Sequence, residues 1–331
     1  MQRTILSHYS DLLLAIYRQA QELPVDSFQD CVLDTLKAYL AFDSSMWGTA
    51  TMTAGGIDIH TLHLHNTTQQ MIDEYQKVKH LDTAAFRVSQ QPTATIAFNT
   101  ATDFADEELR DYKEFLHRFR HENFFISSDI NPITRFVQWV SLYRAQASQH
   151  CTEAETEMLS CIAPHLMQAL AINRLVHLDR LTGDTARENW SVAIADNRGV
   201  LYHADPAFRE LVAMEWPLLR SVAGGEERLP DAMLQLLTEG EGSITGRRVV
   251  VQRTHERGLL FLKSRAREAV DDLTARELLI SKLLVSGLTQ KQVAIKLDRS
   301  HETVRSQVKR IFEKLGINSV AQLGPLLVLR A

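Results

Sequence analysis

The spacing of apolar residues changes period several times along the chain, and each change predicts an element. Leu12, Leu13 and Ile16, then Cys31 to Leu40, recur at helical spacing. Alternation over residues 45–52 and 57–65 predicts strands. Residues 107–121 return to helical spacing, 135–143 read as strand, and a long helix runs from about 153 to 178. This first stretch therefore predicts helices flanking an antiparallel sheet. A polar stretch, 179–189, interrupts the pattern. Beyond it come strand 191–195, the turn Asp196-Asn197-Arg198-Gly199, strand 200–203 and helix 206–214. A hairpin over 247–253 and 258–263, turning at 254–257, completes a second, smaller α+β unit. A second break at 264–272 leads into four closely spaced helices at about 274–286, 289–297, 301–315 and 319–329. No repeat of roughly 20–50 residues is present, which excludes solenoids and propellers.

Composition narrows the class. The 331 residues are 45% hydrophobic and 23% charged, which is globular composition for two or three domains. The cysteines Cys31, Cys151 and Cys161 are odd in number and form no C-x-x-C, so neither a disulfide framework nor a zinc ribbon is expected and a reducing cytoplasm fits. The first residues turn polar before any signal-like apolar run, and no uninterrupted apolar run suits a membrane span, so no membrane partner is expected. Net charge is −5, but it is unevenly distributed: residues 274–331 carry ten Lys or Arg against four Asp or Glu, leaving the remainder at −11. A small basic module joined to a larger acidic one places phosphate attraction at the carboxyl end.

That module has strong local signals. Thr274-Ala275-Arg276-Glu277, Thr289-Gln290-Lys291-Gln292 and Ser319-Val320-Ala321-Gln322 have capping-box form, and Gly287 and Gly316 stand where left-handed helix caps belong. Only Asp298-Arg299-Ser300 separates its second and third helices, the short turn of a helix-turn-helix. In the third, Val304, Val308, Ile311, Phe312 and Leu315 form one apolar stripe, while Arg305, Ser306 and Lys309 share another face. Arg305 and Lys309 lie one turn apart and can enter a major groove together. A basic four-helix bundle that binds another protein is the competing reading. Leu273-Thr274, Arg276-Glu277, Gly287, Lys291, Val293-Ala294, Leu297, Thr303-Val304-Arg305, Val308, Ile311, Lys314-Leu315-Gly316 and Leu323 resemble the LuxR-type (NarL-like) helix-turn-helix family. The resemblance implies double-stranded DNA as partner, with Arg305, Ser306 and Lys309 reading the groove and Lys291, Thr303 and Arg310 contacting phosphates. Gln292 stands where the family has an acidic residue and His301 where a small polar one is common.

The opening residues lack the acidic cluster of a phosphorylated receiver domain. Residues 1–178 resemble GAF-like sensor domains and, more loosely, the autoinducer-binding domains that precede LuxR-type modules, through Glu74-Tyr75, Leu81-Asp82, Trp139-Val140-Ser141-Leu142 and the closing helix with Ile162-Ala163-Pro164-His165-Leu166. Asp82-Thr83 replaces that family's Asp-Pro, and no tryptophan stands just before Tyr75, which points away from an acyl-homoserine lactone. Residues 190–266 resemble PAS domains through Asp196-Asn197-Arg198-Gly199-Val200-Leu201-Tyr202 and Asp205-Pro206-Ala207-Phe208, with no evident haem or flavin ligand. A sheet with helices packed on it can leave a cavity lined by aromatics and a few polar groups. Trp47, Tyr75, Asp82, Phe98, Trp139 and Tyr143 are the candidates, each also explicable as core or, for Asp82, as a helix cap. Leu159, Ile162, Leu166, Ala169, Asn173 and Val176 are spaced as a dimer-forming stripe or as one packed on its own sheet.

Apparent catalytic motifs fail in context. Ser306-Gln307-Val308-Lys309 matches S-x-x-K on the groove-facing helix, where it has no pocket, and residues 240–246 miss the dinucleotide spacing. His117 and His121 lie four apart among Lys113, Arg118 and Arg120, which disfavours a cation; His63 and His65 share a strand face expected to meet solvent. The expectation is a cytoplasmic, non-enzymatic, dimeric regulator without cofactor or metal. It has a GAF-like sensor domain (1–178), a linker (179–189), a PAS-like domain (190–266) and a four-helix DNA-binding domain (270–331). A small-molecule effector is expected to control it, with RNA polymerase a candidate partner. The alternative is a ligand-independent DNA-binding protein whose front domains are an interaction and dimerisation scaffold.

Overall fold

The computed structural model describes residues 5–53, 56–91, 93–131, 136–182, 190–216, 227–240 and 242–328. The first unit opens with helices α1 (Ile5–Glu22) and α2 (Val25–Lys37), followed by strands β1 (Ser44–Thr53) and β2 (Gly56–His65). Helices α3 (Gln69–Val78) and α4 (Thr83–Ser89) precede β3 (Thr93–Asn99), α5 (Thr100–Asp103) and α6 (Arg110–Arg118). Strands β4 (Asn123–Ile130) and β5 (Phe136–Arg144) complete an antiparallel sheet of order β2-β1-β5-β4-β3, and α7 (Glu153–Thr182) follows. Sequence alternation missed β4 because the strand is covered on both faces: Phe125 packs toward the helices of one layer and Phe124 toward those of the other.

The sheet separates two cores. On one face Leu12, Ile16, Phe28, Leu33 and Trp47 pack with Leu159, Ile162, Leu166 and Ala169 of α7. The dimer-forming reading of the α7 stripe is therefore corrected: α1 and α2 cover it. Asn173 is likewise consumed within the chain, its Nδ2 donating to Ala20 O at 3.1 Å and Leu23 O at 2.9 Å, where the end of α1 leaves carbonyls without helical partners. The opposite face carries α3, α4 and α6 over Phe98, Phe104, Phe124 and Tyr143.

The helix expected over 107–121 stops early. Arg120 sits at φ 59°, and His121 N–H donates to Leu116 O at 2.8 Å, a Schellman closure without glycine. This turns His121 into the core and away from His117, which instead bonds Glu122 at 2.9 Å.

The second unit comprises β6 (Ser191–Asp196), β7 (Leu201–Ala204), α8 (Pro206–Glu215), α9 (Asp231–Glu239), β8 (Ser243–Thr245), β9 (Val249–Glu256) and β10 (Leu259–Ala266). Its antiparallel sheet has order β7-β6-β10-β9-β8. The unbroken run Leu259-Leu260-Phe261-Leu262 is buried on both sides: Leu260 and Leu262 meet α8 and α9, while Leu259 and Phe261 share a cluster with Leu178 of α7. The hairpin turn lies later than the expected 254–257, at Arg257 (φ 50°) and Gly258 (φ 74°), the two left-handed residues of a tight turn whose twist matches the strands. The expected linker begins inside α7, which continues to Thr182; residues 183–189 lie outside the described residues.

A buried ion pair joins this unit to the last. Arg265, 3% exposed, donates to both oxygens of Asp271 at 2.6 and 2.7 Å. Helices α10 (Ala275–Val285), α11 (Gln290–Lys296), α12 (His301–Leu315) and α13 (Val320–Val328) then pack around Ile280, Leu284, Val293, Val304, Val308 and Ile311. No helix among the described residues is long and apolar enough to cross a membrane.

Candidate nucleic-acid interface and sensor cavity

Local chemistry sets the geometry of α11 and α12. Thr274 and Thr289 each cap a helix through the expected reciprocal box. The third box is corrected: Gln322 Oε1 accepts from Asn318 N–H at 3.0 Å, one residue earlier than the pattern requires. Helices α10, α11 and α12 all end in the same closure. Leu288 N–H reaches Leu283 O, Arg299 N–H reaches Ala294 O and Ile317 N–H reaches Phe312 O, at 3.0–3.2 Å. Gly287 and Gly316 supply the left-handed residue in two of them, and Asp298 at φ 50° supplies it between α11 and α12, since Asp tolerates this conformation better than most residues with a side chain. Ser300 then caps α12 by accepting from Thr303 N–H at 3.1 Å.

Val304, Val308, Ile311 and Leu315 are buried along α12, so the remaining faces are turned outward. Lys291, Thr303, Arg305, Ser306, Lys309 and Arg310 are all exposed. The Arg305 and Lys309 side chains are 68% and 78% exposed; their nearest acids, Glu302 at 3.8 Å and Glu313 at 3.7 Å, lie on the same helix. Such pairs are weak and yield readily to phosphate. The scaffold behind them is stronger. Lys314 Nζ donates to Glu277 Oε2 at 2.7 Å, and this bond, with those from Thr274, holds the Glu277 carboxyl below its ordinary range. The sequence motif contained both residues without revealing that they meet.

The other candidate site lies between the first sheet and α3, α4 and α6. It is a cavity of about 90 Å³ lined by Tyr75, Asp82, Trp139 and Tyr143 of the expected set. Phe98 is buried beside it in a stack with Phe104 and Phe124. Trp47 lies on the opposite sheet face, its ring centroid 6.3 Å from that of Phe28, because neighbouring strand residues point to opposite sides and Met46 takes the cavity side.

Asp82 accepts from Ala85 N–H at 2.9 Å as the cap of α4 and from the Tyr75 hydroxyl at 2.7 Å. Burial is the largest influence on its carboxyl and raises it above the usual range, against the hydrogen bonds from Ala85, Tyr75 and Tyr112. Burial also raises the Tyr75 and Tyr112 phenols. Sequence reasoning missed Tyr112, His121 and Ser128, which also line the cavity. His121 stacks on Tyr143 with centroids 3.7 Å apart, and burial pushes its pKa down to about 3, so the ring is neutral. Its Nε2 and the Ser128 Oγ are buried without hydrogen-bond partners among the described residues.

The expectation that His63 and His65 meet solvent is corrected. Both face α2: His63 Nε2 and His65 Nδ1 lie 2.9 and 2.8 Å from Asp30 Oδ1, and His65 is 4% exposed. These donor atoms lie within 4.8 Å of one another, a set that suits a divalent cation. The Arg257 guanidinium, 3.5 Å from His63 Nδ1, opposes one; burial lowers the His63 pKa, Asp30 works against that shift and Arg257 works with it.

Comparison with known proteins agrees with the carboxyl-terminal geometry. Residues 271–325 match the family "Bacterial regulatory proteins, luxR family". A nitrate/nitrite response regulator protein homolog of Haemophilus influenzae is 31% identical over 101 residues, which cover 30% of this chain and 38% of that protein. The chain thus spans well under half of the length of this curated relative. Among solved structures, the N-acylhomoserine lactone dependent LuxR family transcription factor CepR2 of Burkholderia cenocepacia is 16% identical, with a TM-score of 0.39 over 53% of this chain and 99% of its own. Escherichia coli SdiA is 11% identical, with a TM-score of 0.36 over 98% of each chain.

Proposed function

We propose that the chain, which ends in a luxR-family helix-turn-helix module, is a DNA-binding transcriptional regulator controlled by a small molecule held in the amino-terminal cavity. The observation that carries the DNA reading is the exposed trio Arg305, Ser306 and Lys309 on a helix whose opposite stripe is fully packed. In this reading, α12 enters the major groove, where Arg305 and Lys309 meet base edges. Lys291, Thr303 and Arg310 contact phosphates and set the register. A module of this size gains useful affinity by presenting two copies to paired half-sites, so the regulator acts as a homodimer. RNA polymerase is its candidate partner at a promoter. A wholly filled core would instead favour the ligand-independent scaffold. The effector reading is supported by the cavity and its two unpartnered polar atoms, His121 Nε2 and Ser128 Oγ.

The test is fluorescence anisotropy of the full chain on a duplex selected from a random pool and on an unselected duplex. Arg305→Ala is expected to lose about 1–3 kcal/mol on the selected duplex and much less on the other. Lys291→Ala is expected to weaken both alike and to flatten the salt dependence. Equal losses on the two duplexes for Arg305→Ala would refute its base-reading role. Solvent extraction followed by mass spectrometry and a thermal-shift screen tests the effector half: a chain that yields no bound molecule and responds to none favours the scaffold.

A further inference from the structure

A second cavity, of about 380 Å³, lies between the two sheets and against α7, on the other side of the first sheet from the one around Asp82. Its volume falls within the range typical of small-molecule sites. Phe136 of the first sheet, Leu175 of α7, and Ile194 and Leu201 of the second sheet give it apolar walls. Arg174 reaches it from α7.

Arg174 is 8% exposed, and its guanidinium lies over the Tyr202 ring, 5.0 Å from the centroid. Among the described residues it has no hydrogen bond or ion pair. An arginine keeps its charge and carries five N–H donors, so one buried this deeply ordinarily meets a carboxylate or several carbonyls. The neighbouring acids make no hydrogen bond to it. Asp196 attracts Arg174 through space; its Oδ1 accepts from Arg198 and Val200 N–H at 2.9 and 3.0 Å, and its Oδ2, 3.3 Å from His60 Nδ1, has no hydrogen-bond partner among the described residues. Glu227, on the cavity wall, is bound by Arg209, with one bond at 2.8 Å. The remaining ionisable neighbour, His203, lies 3.3 Å from Asp205.

We propose that this cleft binds a small organic monocarboxylate with an apolar body, its carboxylate taken by Arg174 and its body lodged against Phe136, Leu175 and Leu201. One guanidinium whose N–H donors make no hydrogen bond among the described residues suits one carboxylate; a phosphate dianion would bring more charge than the cleft neutralises. The planar fork fits a carboxylate in two bonds, and pairing removes the cost of an isolated buried charge. Phe136 belongs to the first sheet and Tyr202 to the second, so an occupant touches both units and favours the arrangement in which they meet.

Calorimetric titration of the full chain with benzoate and hexanoate, their uncharged amides and inorganic phosphate tests the proposal. The carboxylates are expected to bind at least about tenfold more tightly than the amides, a gap of about 1.4 kcal/mol, and phosphate is expected not to bind. Arg174→Met is expected to abolish that preference, and without ligand to melt no lower than the parent, because it removes a buried charge whose N–H donors make no hydrogen bond among the described residues. Arg174→Lys, which keeps the charge and loses the fork, is expected to bind the carboxylates weakly. Ser128→Leu, on the other cavity, is expected to bind them as the parent does, which separates this site from the proposed effector pocket. Equal affinity for acids and amides, unchanged binding in Arg174→Met, failure of both carboxylates to bind the parent, or loss of binding in Ser128→Leu alone overturns the assignment.

Discussion

The carboxyl-terminal module and the first unit hold their chemistry on opposite sides of their folds. In the module, the apolar stripe of α12 is spent inward, and Arg305 and Lys309 stand in solvent with only weak partners on their own helix. In the first unit the notable groups are inside: Asp82 bonded to Tyr75, neutral His121 stacked on Tyr143, and a Ser128 hydroxyl without a partner among the described residues. A surface that meets a polyanion must stay charged and accessible, whereas a pocket that selects a small molecule gains by withholding its polar groups from water. Substitutions should therefore affect the two regions through different physics.

The largest expected effect comes from breaking the module from within. Val308→Asp places a carboxylate where Val304, Val308 and Ile311 are packed, costing several kcal/mol, enough to unfold a small helical unit. Thermal unfolding should show the module's transition lost, with that of the first unit preserved, and DNA binding should disappear. If the first unit melts with it, the two regions are one cooperative body, and the Arg265–Asp271 pair that joins the second unit to the module is the place to look.

Next comes His121, which tests the interior of the first unit. Its folded pKa of about 3 lies below the usual imidazole value, so below about pH 6.5 the unfolded chain takes up a proton that the folded chain refuses. Stability is therefore lost as pH falls from about 6.5 toward 3, by up to about 1.4 kcal/mol per pH unit. His121→Phe, which retains an aromatic ring against Tyr143, should flatten that part of a urea-unfolding profile. Parallel profiles for the two proteins would show that the ring is not held neutral by burial.

Glu277 sharpens the contrast from the module's side. Its carboxyl is held low by Lys314, so the stability it contributes is present above the unfolded pKa and is lost as pH falls through the lower folded one. Glu277→Gln should lessen acid destabilisation of the module only below about pH 4.5, a window more acidic than the onset of the His121 effect. Destabilisation of the module by Glu277→Gln that is independent of pH would point to lost geometry. The smallest effect belongs to the surface. Glu313→Ala removes the 3.7 Å neighbour of Lys309, and unfolding free energy should change by less than about 0.5 kcal/mol. Anisotropy on DNA should show equal or tighter binding, since an acid near the phosphates is gone.

Legibility in the sequence followed the range of the interaction. Capping boxes at Thr274 and Thr289, glycine caps at Gly287 and Gly316, and the α12 stripe are each contained within a few residues, and all appear in the structure. The antiparallel sheets with flanking helices were readable from period changes only in part: strands β3, β4 and β8 were missed, and in β4 burial on both faces removes the alternation. The left-handed Arg120 and Asp298 closures escaped notice because a residue other than glycine gives no composition signal.

The sequence by itself thus determined the four helices of the module and the outward face of α12, since helix periodicity and backbone capping act between near neighbours. Only the tertiary structure decided that His63 and His65 meet Asp30 across 33 and 35 residues, that Asn173 ties α7 to the end of α1, and that Arg174 faces a cleft between two sheets. Those meetings depend on which face of each strand is buried and on which helix covers it. They arise from the packing of distant segments, and no local pattern encodes the pairing.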